Sequence, residues 1–339
     1  MAGPFLIFFA LFWSVIVLGF DGVMTYDTYR QYESGSFPSV TGTVTRSQVE
    51  QHTGSKERTH YVAVVNYTYN VGGQTYWGNR LKFGKGAQGD AYAIVNAHPF
   101  NSPVQVYYNP KDPNESLLYP GIAGSDMFGA LFLTPFNMVL IGLWMGVYAW
   151  LRERLFKPVA GGVKIIADGM TTRVRLPTVG AIWWGLGTTG LLGFAAVFAV
   201  GFGAGFQPSM ATVLLAVCGI YLAGAGVWFW QQQKINSGID DLIINEGSRT
   251  LELPLTFGRK ERVTVPITDI ERIWVNVIEH HNSKGGTSYT YAPTLILRNQ
   301  SDNQKLADWG DQLRANDFAD WLSRKVGVST GVALRDLPT

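Results

Sequence analysis

Histidine is the side chain most often recruited for proton transfer or metal binding near neutral pH, and the chain has five: His52, His60, His98, His280 and His281. His52 and His60 flank a polar segment and His98 precedes Pro99. None has a second ligand at the spacing that a metal site uses. His280 and His281 follow Glu279 as neighbours. Consecutive strand side chains face opposite sides, so this pair cannot close on one metal from a regular strand, and an exposed loop edge is expected. Gly84-Lys85-Gly86-Ala87-Gln88-Gly89 is glycine-rich. A phosphate cradle needs lysine and then Ser or Thr after its last glycine, so an ordinary loop is expected here. Asp240-Asp241 and the pair Asp269 and Glu271 have cationic neighbours in Arg249 and Arg272 and read as surface charge. No Ser-His-Asp or Cys-His set assembles. The expectation is a chain with no catalytic residues, no cofactor and no metal.

Two other groups of residues point to contact, not catalysis. Arg259, Lys260 and Arg262 form a short basic run, and cations held close to anionic lipid gain about 1 kcal/mol each. They are the candidates for lipid contact. Tyr67, Tyr69, Tyr76 and Trp77 in the first half, and Tyr289 and Tyr291 in the second, are the candidates for partner contact. Tyr61 and Trp274 belong to the same two sets. Aromatic residues are also good strand formers, so about half of these are expected to serve sheet cores.

The elements that must hold these residues are dominated by four apolar stretches. A bilayer core about 30 Å thick is crossed by roughly 20 helical residues. No charged residue occurs from Ala2 to Phe20, Met127 to Trp150, Thr178 to Phe206 or Met210 to Trp230. Transmembrane helices are therefore expected over 4–24, 125–151, 178–204 and 209–231. Trp144, Trp150, Trp183, Trp184, Trp228 and Trp230 sit toward the ends of these stretches, where amphipathic rings meet the headgroups. Charged residues are 15% of the chain, below the roughly 25% of soluble domains. A formal charge of +2 excludes nucleic acid as an obvious partner. The single cysteine, Cys218, excludes an internal disulfide.

A secretory signal would carry a basic start and a small-x-small cleavage site. No Lys or Arg precedes Phe5, and Gly19-Phe20-Asp21-Gly22 offers no such site, so the first stretch reads as an uncleaved anchor. The loop 152–177 carries Arg152, Arg154, Lys157, Lys164, Arg173 and Arg175, whereas the loop after the third stretch carries no cation. Basic loops stay inside. Both termini are thus expected in the cytoplasm, with 25–123 outside. Gly201, Gly203, Gly205, Gly219, Gly224 and Gly226 give the last two stretches small surfaces for close helix packing. Asn137 offers the second stretch only a hydrogen bond.

The segment 25–123 has strand chemistry. Val40–Val44 alternates at period two, and Tyr61–Tyr69 turns through Gly72-Gly73 into Gln74–Trp77 as a hairpin. Gln51–Thr59 reads as a hairpin tip, Ala87–His98 as a helix, and Val104–Tyr108 as a last strand before the turn Asn109–Pro113. The pattern Gly42-x-Val44, Tyr61-x-Ala-x-Val-x-Tyr67-x-Tyr69, Gly73-x-x-Tyr76-x-Gly78 and Val104-x-Val106-Tyr107-Tyr108-Asn109-Pro110-x-x-Pro113 resembles the domain-of-unknown-function family 3592, over roughly residues 38–120. The resemblance implies a small antiparallel β domain flanked by spanning helices and a bacterial source. It implies no catalytic residues.

After Lys234, short strands are expected at Ile239–Asn245, Thr250–Pro254 and Arg262–Pro266, a longer one at Thr268–Val277, and another at Leu295–Leu297. Phe318, Leu322 and Val326 recur at i, i+4, i+8 and mark a closing helix from about Asn316. Strands followed by one amphipathic helix resemble the pleckstrin-homology-like domains of bacterial membrane proteins, over 238–328, with 329–339 as a tail. A hairpin of Val163–Ala167 and Thr171–Leu176 in the basic loop is expected to pack on this module.

The sequence therefore describes an α+β membrane protein with four transmembrane helices, an extracytoplasmic antiparallel β domain and a cytoplasmic pleckstrin-homology-like domain with a C-terminal helix. A non-enzymatic envelope scaffold or sensor of the bacterial inner membrane is expected, whose partners are the lipid bilayer and other membrane or envelope proteins. An accessory of a membrane enzyme or transporter acting on lipid or envelope polymer, or such an enzyme itself, is the alternative. The oligomeric state is not readable from these residues.

Overall fold

The computed structural model describes residues 2–53, 59–84, 90–156, 159–281, 286–298 and 303–332. The chain divides into two compact units, residues 1–147 with 185–226, and residues 148–184 with 227–339. Among the described residues, four helices are long and apolar enough to cross a bilayer: α1 (Ala2–Ser34), α3 (Gly124–Leu155), α4 (Ala181–Gly203) and α5 (Met210–Asn236).

In the first unit, α1 leads into an N-terminal lobe of five strands, β1 (Ser39–Thr53), β2 (Thr59–Val71), β3 (Gln74–Gly78), β4 (Pro103–Asn109) and β5 (Asp112–Leu117), with the short helix α2 (Ala91–Ala97) between β3 and β4. The sheet is antiparallel throughout, in the order β3-β2-β1-β4-β5. Period-two burial explains it. Ala63, Val65, Tyr67 and Tyr69 of β2 point inward together, as do Val104 and Val106 of β4, because alternate strand residues share a face. Ile94 of α2 and Leu118 complete this core, and Asp90 caps α2 by accepting from the Tyr92 amide.

Gly42 sits where β1 lies between β2 and β4. A methyl group there would collide with the Thr68 carbonyl and stand 2.9 Å from a Val106 methyl.

The helices of the first unit pack through small apolar contacts. Leu131 of α3 meets Val213 and Ile220 of α5, with Ala196 and Val200 of α4 alongside. Of the glycines expected to bring helices together, a methyl group on Gly224 would collide with Thr189 and stand 3.1 Å from the Gly185 carbonyl, and one on Gly201 would press on Phe128 and Phe206. Gly203, Gly205, Gly219 and Gly226 face open space, so two of these six positions are closely approached.

In the second unit the C-terminal lobe contains two sheets. One has the order β10-β9-β8-β7-β6 and is antiparallel, built from β6 (Lys164–Asp168), β7 (Thr171–Arg175), β8 (Asp241–Asn245), β9 (Thr250–Glu252) and β10 (Thr264–Pro266). The other has the order β13-β12-β11-β14, from β11 (Ile270–His281), β12 (Thr287–Leu297), β13 (Gln304–Lys305) and β14 (Ser329–Val332), the last joining β11 in parallel. Helix α6 (Gln312–Val326) closes one core shared by both sheets, in which Leu242, Leu251, Ile273, Leu295 and Phe318 are all fully buried. Asp311 caps its start, and Gly327 ends it in the left-handed conformation, the usual pairing of caps.

Several expectations are corrected here. The hairpin of the basic loop does not merely pack on the second module: β7 pairs with β8 from Thr171↔Asn245 to Arg175↔Asp241, so it is part of the same sheet, and the lobe begins before α4. Residues 25–34 continue α1 and do not start the N-terminal lobe. The Asn109–Pro113 turn is followed by a fifth strand, β5, whose polar sequence Asp-Pro-Asn-Glu-Ser-Leu hides its strand character. The tail from residue 329 starts as β14. His280 and His281 lie inside β11, which extends past Val277, instead of in a loop. Parts of the expected hairpin tip (54–58), of the glycine-rich run (85–89) and of the tail (333–339) lie outside the described residues.

Replacing Gly42 with Ala should destabilise the N-terminal lobe by about 1–3 kcal/mol, the range for overpacking a closed core. Thermal unfolding in detergent is the check, and an unchanged midpoint would show that β1 can shift.

Candidate functional site

Helix α1 has 33 residues, and roughly 20 suffice to cross a bilayer core. Its last turns carry Asp27, Arg30, Gln31 and Ser34, spaced three or four apart and therefore on one face. That face is built into the N-terminal lobe. Gln31 is only 2% exposed. Its Nε2 donates to the Tyr119 carbonyl at 2.7 Å and the Gly121 carbonyl at 2.6 Å, and its Oε1 accepts from the Phe83 amide at 2.8 Å. Ser34 is fully buried, donates to the Gln31 carbonyl and accepts from the Gly121 amide. Each partner is backbone, so the amide acts as a weld between helix and loops.

Charges surround this joint. Glu115 accepts from Arg30, from Asn109 Nδ2 at 2.9 Å and from Arg80 at 3.5 Å. The guanidiniums of Arg30 and Arg80 lie 4.9 and 4.6 Å from the centre of the Phe83 ring, within cation–π range. Burial alone would raise the Glu115 carboxyl, but hydrogen bonds from Arg30 and Asn109 and the charges of Arg30 and Arg80 hold it below its ordinary value. Lys82 makes a buried ion pair with Asp126 and donates to Ser125. Asp126 also accepts from the Ala123 amide at the start of α3. The segment 80–83 thus ties the ends of both α1 and α3 to the sheet.

Polar rungs continue along the two helices. Trp13 donates to the Phe136 carbonyl at 3.3 Å, Trp144 to Ser14 Oγ at 2.9 Å, and Asn137 Nδ2 to Asp21 Oδ1 at 3.1 Å. Above Asp21 a groove of about 400 Å³ runs between them, lined by Met24, Tyr29, Tyr32, Met127 and Leu133 among others. Beside β3 and β5 a smaller polar depression of about 180 Å³ is lined by Trp77, Asn79, Arg80, Asp112, Asn114 and Glu115.

The aromatic candidates separate clearly. Trp77 is 71% exposed and Tyr289 is 46% exposed. Tyr76 is half-buried, stacked on Tyr69. Tyr67 and Tyr69 are corrected from contact residues to core residues, because inward alternation along β2 buries them almost completely. Their hydroxyls donate to the Arg80 and Pro113 carbonyls, and burial pushes the Tyr67 hydroxyl up to about 12 against the opposing Ser116 bond. Tyr291 is half-buried against the second core. Trp274 is also half-buried and lies under Arg272. Tyr61 is exposed beside Tyr92.

Two members of the basic run are occupied inside the lobe. Arg259 donates to the Lys305, Thr256 and Pro254 carbonyls, and Arg262 to the Gly238, Ile239 and Asp241 carbonyls. They close the 255–263 loop. Lys260 is the member of the run that stays exposed. His98 bonds Tyr119 at 2.7 Å, with burial lowering the histidine and raising the tyrosine. His280 bonds Thr290. Among the described residues, no group of three or more His, Cys, Asp or Glu could hold a metal ion.

Sequence reasoning missed Gln31, Ser34, Lys82, Glu115 and Asp126. The polar face of residues 27–34 was the available signal. Its partners lie some 50 to 100 residues away and carried none.

The family model described as "Domain of unknown function (DUF3592)" matches residues 40–123. No curated protein and no solved structure matches the chain.

Replacing Gln31 with Leu should cost about 1–3 kcal/mol, the penalty of leaving buried backbone groups without partners, as a loss of protease resistance at the 117–123 linker. Glu115 gives a pH signature. Its depressed folded value means that its contribution is complete above the ordinary carboxylate range, near pH 4.3, and is lost as pH falls through the folded value. The unfolding midpoint should therefore drop on acidification from pH 6 to pH 3. Glu115→Gln should lower the midpoint at pH 6 and flatten that slope.

Proposed function

We propose that the chain is a non-enzymatic, four-span membrane protein of the bacterial envelope, acting as a scaffold or sensor whose two lobes meet partners on opposite faces of the bilayer. The observation that carries this reading is the welded joint at Gln31 and Ser34, where a helix apolar enough to span runs without a break into a sheet lobe. A load on the lobe reaches α1 and α3 through fixed hydrogen bonds instead of through a loop. Chain order supports opposite faces. The N-terminal lobe lies between α1 and α3, while the C-terminal lobe brackets the α4–α5 pair, and one crossing by α3 separates them. The cations of 152–175 favour a cytoplasmic C-terminal lobe, and with it both termini. Two sheets and a closing helix over one core support the likeness of that lobe to pleckstrin-homology-like domains. Trp77 on the N-terminal lobe and Tyr289 on the C-terminal lobe are the exposed aromatic contact points, and Lys260 the residue for the lipid surface.

A second reading, an accessory of a membrane enzyme or transporter, has one observation behind it: the bond between Asp21 and Asn137 within the helix pair. Ionisable side chains inside a bilayer mark functional paths more often than not.

A single labelling and crosslinking experiment tests the proposal. In a Cys218→Ser chain, Asn114→Cys should react with a membrane-impermeant maleimide in intact cells, and Asp308→Cys only after permeabilisation. A photocrosslinker at residue 77 should trap an envelope protein. Labelling of both cysteines from one side overturns the two-faced arrangement, and repeated capture of an enzyme subunit moves the assignment to the second reading.

A further inference from the structure

The first sheet of the C-terminal lobe ends in an open edge, β6, which is exposed along both faces: Lys164, Ile165, Ala167 and Asp168 are all exposed and Ile166 is half-buried. Exposed edges are usually blunted by like charges, bulges or cover, because their free backbone groups template another strand. Here the edge is regular. Lys164 and Asp168, at its two ends, take part in no ion pair among the described residues. Ile165 is 36% exposed and Met170, in the adjoining turn, is 71% exposed.

The hydrogen-bond phase of the edge follows from the turn. Asp168 pairs with Thr171 across Gly169-Met170, and Gly169 has a φ of 59°, as the first position of a two-residue hairpin turn requires. Such a turn is closed by a hydrogen-bonded pair, and these alternate along an antiparallel ladder. Residues 164, 166 and 168 therefore spend their backbone groups on β7, and residues 165 and 167 turn theirs outward.

We propose that β6 pairs antiparallel with β6 of a second copy of this chain, on a two-fold axis through Ile166, joining the two sheets into one. In this register Ile165 stands opposite Ala167 of the second copy, the two pairs supplying about four backbone hydrogen bonds. Ile166 meets Ile166. Lys164 stands opposite Asp168 at one end, and Asp168 opposite Lys164 at the other, so the charges that would repel a sequence of one sign instead select self-pairing. The register that satisfies the outward backbone groups is the same one that matches the charges. That agreement commits the occupant to a second copy, because an arbitrary strand would have no reason to match both.

The test uses the full chain with Cys218→Ser, in native membranes. Residue 166 forms a non-hydrogen-bonded pair with itself, with Cα atoms about 4.5 Å apart, which a disulfide can bridge. Ile166→Cys should give a reducible dimer on mild oxidation, and Ile165→Cys, which faces a different residue, should give far less. Lys164→Asp should raise the dissociation constant of the dimer about tenfold, as two attractive cross-strand pairs become repulsive. Asp168→Lys should do the same, and the double exchange K164D/D168K should restore dimerisation. All these positions are on the exposed edge, so the fold itself is not at stake. No Ile166→Cys dimer, equal crosslinking at 165 and 166, failure of the double exchange to restore pairing, or crosslinks only to a different protein would each overturn the proposal.

Discussion

The pairing of β7 with β8 constrains the rest of the chain more than any other interaction. The two strands are neighbours in one sheet, yet α4 and α5 lie between them in sequence. A ladder of backbone hydrogen bonds fixes register to the residue, since a slip by one would turn Val174 and Leu242 out of the core. Helices α4 and α5 must therefore leave the lobe and return to it, whatever surrounds them. The pair is best seen as an insertion into a lobe whose first two strands precede it, and that lobe buries Val174 beside Leu242, Leu295 and Phe318 in a single core.

The two lobes handle polar burial differently. The N-terminal lobe concentrates it at the junction with α1 and α3, where Gln31, Ser34, Lys82 and Asp126 all find partners. A buried amide with satisfied donors adds geometry more than net free energy, since its value lies in what an unmet partner would cost. The C-terminal lobe instead uses guanidiniums as staples. Arg259 and Arg262 each collect several carbonyls and so hold the 255–263 loop in place. Arginine suits this because its donors form a rigid fork. The same hydrogen bonds draw both residues away from the role that their charge alone suggested.

Much of the architecture was legible because it rests on local patterns. Uncharged runs marked the four helices, alternation marked β1, β2 and β4, and the spacing of Phe318, Leu322 and Val326 marked α6. What was missed depends on distant partners. The sequence of β5 has no alternating apolar pattern, and it is a strand because β4 presents an edge to it. The length of α1 beyond residue 24 was hidden because Arg30 and Gln31 look like loop residues until their partners at 83, 115, 119 and 121 are known. Tyr67 and Trp77 look alike as aromatic strand residues. Only the direction of each side chain, set by the pleat, separates a core residue from one 71% exposed.

The unbroken course of α1 has a mechanical consequence. At about 1.5 Å per residue its 33 residues reach about 50 Å, and past Pro4 no proline interrupts it. The rungs to α3 at Trp13, Ser14 and Asp21 make the two helices one rod, and a rod clamped at its lobe end is a lever. A tilt of about five degrees at Gln31 carries the far end sideways by about 4 Å, comparable to the width of a side chain. Small strains in the sheet are thereby magnified with distance, and the amino terminus is where displacement is greatest.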